Sequence, residues 1–288
     1  MICDFHVHST FSDGTLTPSE LVDEAQRAGV DCFALTDHDD VCGIAEARER
    51  AAGLDVEVMA GVEISVAEDE GRRQMHILGL RLDPDEPGLR AGLGAIQQAR
   101  RRRVDTILDL LAGAGVALDR SHLGDAPEGA AIGRPHVARA LVAQGICSNE
   151  DEAFARYLRR GRPAYVSSAG IAARAAIELI HSAGGMASLA HPPLSVGADG
   201  PGGLDAFVEG LAGLGLDGLE VQHPGLQPRT RRRLRRIART RGLVVTGGSD
   251  FHGHSRPDVA MGRGRGRIEV GRKTYDEIVE RAARYPAS

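Results

Sequence analysis

The chain has 288 residues, 42% of them hydrophobic and only 3% aromatic, with a formal net charge of −5. This content supplies a sizeable core of small aliphatic side chains and excludes both global disorder and a polycation built for nucleic acid. The length fits one large α/β domain or two ordinary ones.

The first predicted element is the strand ICDFHVH, which ends in His6 and His8, with Asp13 in the loop beyond. Thr17-Pro18-Ser19-Glu20 is a capping box with proline in the first helical turn. It opens the helix SELVDEAQRAG, which Gly29 closes. The strand CFALTDH ends in Asp37 and His38, and the helix GIAEARERAAG follows. Two further strands, VEVMAGVEISV and QMHILGLRL, carry Glu63 and His76. Most of these runs are apolar on both faces, as in a sheltered parallel sheet.

From about 87 to 163 there is no strand signal. The stretches LGAIQQARRRRVDTILDLLAGAG, RPHVARALVAQG and NEDEAFARYLRRG read as helices. They predict a helical insertion, residues 91–163, lying as a cap over the chemical end of an α/β body formed by 1–90 and 164–288. Beyond it the pattern resumes with a helix, IAARAAIELIHSAGG, and a strand, GMASLAH, ending in His191. LDAFVEGLAGLG is helical, LDGLEVQH is a strand ending in His223, and TRRRLRRIARTRG is helical. GLVVTGGSDFH is the seventh strand, with Asp250 and His252 at its end, and YDEIVERAAR is the last helix. Seven strands with intervening helices predict a barrel-like or doubly wound α/β fold.

Two basic runs, at 100–103 and 230–241, read as solvated helix faces, with a nucleic-acid face as the alternative. Arginine supplies every basic side chain except Lys273, which reflects base composition. The four cysteines, Cys3, Cys32, Cys42 and Cys147, form no CxxC pair, and three lie in or near apolar runs. Reduced, buried thiols are expected. Asp4 and His6 interrupt the N-terminal apolar run, and no run approaches the ~20 residues needed to span a bilayer. The expectation is a cytoplasmic protein with no membrane partner.

Every predicted strand carries a histidine, aspartate or glutamate at or near its C-terminal end. In parallel α/β folds those ends form one face, which carries the chemistry. Residues i and i+2 of a strand share a face, so His6 and His8 can chelate one ion together. Taken singly the signals are weak. An HxH pair on a strand end is common, and a lone His76 in an apolar strand is more often a core histidine. Their joint occurrence on seven strands is what points to metal. Imidazole and carboxylate without thiolate suit zinc, manganese or iron. His6, His8, Asp13, His38, Glu63, His76, His191, Asp250 and His252 exceed the needs of one ion. His122 and His181 lie at no strand end and read as structural.

FHVHSTFSDG, ALTDHD, GVEIS, MHILG, LAHP and GGSDFH, in that order, resemble the motifs of the PHP (polymerase and histidinol phosphatase) family. The resemblance covers the chain except the insertion. It implies a distorted (β/α)7 barrel, here with a helical cap insertion, and three divalent ions, manganese foremost and zinc or iron as alternatives. Carried over by position, His6, His8, Glu63 and Asp250 would hold one ion. Asp13, His38 and His252 would hold a second, and Glu63, His76 and His191 a third, with Glu63 bridging. Many relatives have histidine where this chain has Asp13.

The family mostly hydrolyses phosphate esters. Clustered ions make hydroxide available at neutral pH and neutralise phosphoryl oxygens. In the insertion, Arg134 and Pro135 open the helix RPHVARALV. An arginine there opposes the helix dipole and makes sense beside a bound phosphate; pairing with an acid is the alternative. His223 is the spare strand-end histidine, able to protonate a leaving oxygen, to contact phosphate or to support a ligand. TFSDGTLTP, TDHD, GRPHVARALV and VQHP resemble the branch that includes nucleoside 3′,5′-bisphosphate phosphatases, whose implied substrate is a small nucleotide cleaved to AMP and phosphate. The alternative from the same branch is 5′-to-3′ trimming of short RNA; duplex nucleic acid is not expected. A histidinol-phosphate phosphatase suits the cap less well. A non-enzymatic metal-binding regulatory module would show eroded ligands, whereas the set stands complete.

Overall fold

The computed structural model describes residues 1–68, 73–124, 127, 129–167, 170–192, 203–266 and 268–286. Seven strands form one curled sheet in chain order: β1 (Cys3–Val7), β2 (Cys32–Leu35), β3 (Glu57–Glu68), β4 (Arg73–Leu80), β5 (Met186–Leu189), β6 (Gly218–Gln222) and β7 (Val244–Gly247). Helices α1 (Pro18–Ala28), α2 (Gly43–Ala51), α6 (Ala173–Ser182), α7 (Gly203–Gly213), α8 (Pro228–Arg241) and α9 (Arg272–Ala282) pack on it. Helices α3 (Pro87–Gly113), α4 (Arg134–Ala143) and α5 (Glu150–Ala153) lie between β4 and β5. The sheet curls until Val7 bridges Phe251, just past β7, in the parallel sense. This is the distorted barrel.

The sheet is not parallel throughout. β4 runs antiparallel to both β3 and β5, while the other neighbours are parallel. Glu63 and His76 therefore do not sit at the ends of parallel strands, as the strand-end pattern suggested. β3 is long, Glu63 lies within it, and β4 returns alongside with Ser65 opposite His76. The first helix forms as its sequence dictates. Thr17 Oγ1 accepts from the Glu20 amide at 3.2 Å, and Glu20 Oε2 accepts from the Thr17 amide at 2.8 Å. Gly29 ends the helix at φ 68°.

One apolar cluster joins the strands to α1, α2 and α6–α8; another joins Cys3, Phe5, Cys32, Leu78 and Leu80 to Ile278 and Ala282 of α9. A third cluster, with Val104, Ile107, Leu111, Val137, Leu141 and Leu158, belongs to the residues between β4 and β5. α3 serves two of them: Leu89, Leu93 and Ile96 pack on the barrel, and Val104 to Leu111 pack in the third. It runs through residue 91 without a break. Cys42 is exposed and the other three cysteines are buried. Among the described residues no helix is long and apolar enough to cross a membrane.

Candidate metal centre

The loop ends of β1, β2 and β7 and the middle of β3 and β4 meet at one rim. Glu63, 1% exposed, is the hub. Its Oε2 lies 3.2 Å from His6 Nε2, 3.2 Å from His8 Nε2 and 3.1 Å from His38 Nδ1. Its Oε1 lies 2.9 Å from His76 Nδ1 and 3.0 Å from His191 Nε2. Asp250 Oδ1 lies 3.5 Å from His6 Nε2 and 3.3 Å from His8 Nε2. Asp13 faces His252 Nε2 at 3.2 Å, His38 Nε2 at 3.8 Å and His8 Nδ1 at 3.9 Å. The nine sequence-derived residues thus come together.

Their ligand atoms form four overlapping groups, each within 4.8 Å: His8, Asp13, His38 and His252; His6, His8 and Asp250; His6, Glu63 and His191; His38, Glu63 and His76. Four buried atoms, His6 Nε2, His8 Nε2, Asp13 Oδ1 and His38 Nδ1, make no hydrogen bond, and all belong to this set. Buried polar atoms without partners are costly. Imidazole nitrogens and carboxylate oxygens without sulfur fit a divalent ion of the manganese, iron or zinc kind.

The charges say the same. Burial raises Asp13, Glu63 and Asp250, but neighbouring cationic groups outweigh it and hold all three well below the usual carboxylate range. Burial lowers His8, yet Asp250 and Glu63 raise it to about 9. Against burial, the carboxylates likewise hold His6 and His191 above the usual imidazole range, whereas burial, with His76 and His8 beside it, holds His38 well below it.

Outer contacts fix the rings. His6 Nδ1 donates to Glu220 Oε1 at 2.9 Å, and His252 Nδ1 to the Asp250 carbonyl at 2.8 Å. Each leaves an Nε2 lone pair facing the site. His223 is the reverse: its Nδ1 accepts from the Gly225 amide at 3.1 Å, so Nε2 carries the proton, 3.4 Å from Asp250 Oδ2. His223 is buried, and it is not among the residues lining the cavity. Asp37 accepts from the Ser9 amide and from the Ser9 and Ser12 hydroxyls, ordering the loop after β1. Gly248 lets the chain after β7 approach β1; a Cβ there would lie 2.4 Å from the His6 Cβ. Three of the four described non-glycine residues with positive φ, Asp39, His191 and Asp250, belong to this region, where strain is kept only if the surroundings hold it.

A cavity of about 280 Å³ opens over the cluster, lined by Asp13, His38, Glu63, His76, His191, Asp250, His252, Arg134 and Arg256. A smaller one of about 150 Å³ adjoins it, with Arg100, Arg103, Arg134, Pro135 and His136 in its wall. Arg134 is the first residue of α4. Arg103 donates through Nε and Nη2 to the Val166 carbonyl, and burial beside Arg134 and Arg100 lowers it to about 9. The arginine run at 100–103 is therefore not a solvated face: Arg100 and Arg103 turn inward. Sequence reasoning missed Glu220, Arg256, Arg100 and Arg103 as members of the site. Arg256 pairs with Asp250.

The family profile for the PHP domain matches residues 4–119. A 5′-3′ exoribonuclease from Haemophilus influenzae is 40% identical over 86% of this chain and 89% of its own. A 3′,5′-nucleoside bisphosphate phosphatase from Chromobacterium violaceum is 37% identical over 86% of each chain. The solved structure of a candidate metal-dependent phosphoesterase from Bifidobacterium adolescentis superposes with a TM-score of 0.86 at 31% identity, covering 97% of this chain and 96% of that one. The curled sheet and its donor set are thus those of a metal-dependent phosphoesterase, a hydrolase. The chain belongs to the PHP family.

Proposed function

We propose that this phosphoesterase removes the 3′-phosphate from nucleoside 3′,5′-bisphosphates, leaving a 5′-mononucleotide such as AMP. The observation that carries the reading is Arg134: a guanidinium from the insertion lines the same cavity as the imidazole–carboxylate cluster. A substrate with two phosphates has one for each. The cavity's modest volume suits a small ester, and the C. violaceum relative carries the matching name.

In this reading His6, His8, Glu63 and Asp250 hold one ion. Asp13, His38 and His252 hold a second, and Glu63, His76 and His191 a third, with manganese the first candidate. Bound ions would supply a nucleophilic water at neutral pH and neutralise phosphoryl oxygens. The chain's own residues do the rest. Glu220 and the Asp250 carbonyl keep His6 and His252 in the tautomer that presents Nε2 inward. Arg134, with Pro135 fixing the helix start, grips the phosphate that is not cleaved through two parallel hydrogen bonds. His223 holds its Nε2 proton toward Asp250 from behind the cavity lining; donation of that proton to the leaving oxygen requires the ring to reach past Asp250 once substrate is bound.

The second reading is trimming of short RNA from its 5′ end, supported by the H. influenzae relative. A phosphate-release and product-analysis screen separates them. It would use adenosine 3′,5′-bisphosphate, adenosine 3′-monophosphate and short 5′-phosphorylated oligoribonucleotides, each with Mn²⁺, Zn²⁺ or Mg²⁺. AMP with free phosphate supports the first reading. Mononucleotides released from RNA, with the bisphosphate untouched, support the second. Turnover of neither class overturns both.

A further inference from the structure

One guanidinium from the insertion reaches the two segments that carry His38 and Glu63. Arg100 lies midway along α3, its side chain only 14% exposed. Its Nε donates to Asp39 Oδ2 at 2.5 Å, and its Nη2 to Ser65 Oγ at 2.7 Å. Asp39 follows His38 directly, and Ser65 stands two residues beyond Glu63 on the same strand.

Asp39 is fully buried, with a left-handed backbone at φ 52°. Aspartate tolerates that region better than most residues, but at a cost that its neighbours must cover. Its Oδ1 accepts from the Ser65 amide at 2.6 Å. Its amide donates to the Glu63 carbonyl at 3.0 Å, while the Glu63 amide donates to the Asp37 carbonyl at 3.1 Å. Gln97, one turn before Arg100, donates to the Asp39 carbonyl at 3.0 Å and to Asp40 Oδ2 at 2.9 Å. So α3 grips both sides of the bridge between His38 and Glu63. The third nitrogen, Nη1, lies beneath Gly133, the residue that precedes Arg134; a Cβ at 133 would come within 2.9 Å of it.

We propose that Arg100 is a positioning residue that sets three things against one another: the His38 segment, the Glu63 segment and the start of the helix that carries Arg134. The inference rests on the reading of His38 and Glu63 as metal ligands. A planar fork with five donors can engage Asp39 and Ser65 together, which a lysine ammonium cannot copy. Without it, the Asp39 carboxylate is buried without its cation, and the strained turn beside His38 loses its clamp.

The test is Mn²⁺ affinity, followed by the electron paramagnetic resonance of free Mn²⁺, on folded protein well below its melting temperature. Arg100→Ala should weaken binding by about 10- to 100-fold, the range for losing an outer support of a metal ligand. Arg100→Lys should recover little of this, and methylguanidinium added to Arg100→Ala should restore much of it. Gly133→Ala, which crowds the guanidinium without deleting it, should weaken binding in the same direction. If Arg100→Ala does not fold, Asp39→Asn and Gly133→Ala carry the test. In the folded Arg100→Ala background, Arg134→Ala should cost less in kcat/KM than in the wild type, because the helix start is already misplaced. Wild-type Mn²⁺ affinity in Arg100→Ala, or strict additivity with Arg134→Ala, overturns the proposal. The titration needs no substrate, so it stands apart from the identity of the ester. A wild-type chain that binds no Mn²⁺ would instead overturn the metal reading itself.

Discussion

The two walls of the cavity are built from opposite chemistry. The barrel contributes imidazoles and carboxylates packed so closely that a single acid, Glu63, touches five rings. The residues between β4 and β5 contribute guanidiniums and, among the described lining residues, no carboxylate. Arg256 is the barrel's one cationic exception, and it is spoken for by Asp250. Groups that attract cations thus face groups that attract anions, on pieces of chain whose cores are joined by α3. The lesson is that cation binding and anion gripping are divided between the walls except where Arg100 joins them, and that division can be broken by experiment.

The largest effect should come from the barrel hub. Glu63→Gln should lower kcat by about three orders of magnitude or more, since it removes several kcal/mol of charge stabilisation. Elemental analysis should show metal lost alongside activity; near-normal turnover with full metal content would remove Glu63 from its central place. Next is His223, which belongs to the barrel but carries its proton at Nε2. His223→Gln should cost about 100-fold in kcat on a nucleotide ester. The loss should be much smaller on p-nitrophenyl phosphate, whose leaving group needs no proton. Equal losses on both would make His223 a support for Asp250 instead.

The wall built from the residues between β4 and β5 should behave differently. Arg134→Ala should lower kcat/KM by about 10- to 100-fold, matching one or two charge-assisted hydrogen bonds, with metal content unchanged. The loss should be greatest on a bisphosphate; loss of metal in this variant would break the division between the walls. The smallest effect is one of stability. In metal-depleted protein the raised His8 contributes stability that is present below the ordinary histidine pKa and is lost as pH rises through about 9. The depressed carboxylates Asp13, Glu63 and Asp250 contribute stability present above their ordinary range and lost as pH falls below it. Thermal melts of the metal-free chain should therefore decline between about pH 6.5 and 9, while melts of Mn²⁺-loaded protein stay flatter. Identical profiles would show that protons do not stand in for the ions.

Much of this arrangement was legible in the sequence, because ligand residues sit at fixed offsets from apolar runs. His6 and His8 share a strand face, and their Nε2 atoms reach the same Glu63 oxygen. The direction of β4 was misread, although the signal was there. Seven residues separate the two predicted strands at 66 and 74, and a parallel crossover needs a dozen or more. Glu220 was passed over for His223 three residues on, because attention went to strand ends; a lone glutamate in the apolar run LDGLEVQH was the better clue. Arg256 and Arg100 left no such trace. Arg256 follows Asp250 by only six residues in a loop without periodicity, Asp39 sits on another element from Arg100, and nothing local distinguishes Arg100 from the three arginines after it.

The pairing of Val7 with Phe251 has a consequence for the life of the chain before it is complete. Six of the nine candidate ligands, His6 through His76, leave the ribosome early, and 173 residues separate His76 from Asp250. At roughly 5–20 residues per second, that interval lasts about 10 to 35 s. Throughout it the nascent half displays clustered imidazoles and Glu63 without the carboxylate or the last strand that complete the cluster. The candidate ligand set is complete only when the last strand docks beside the first.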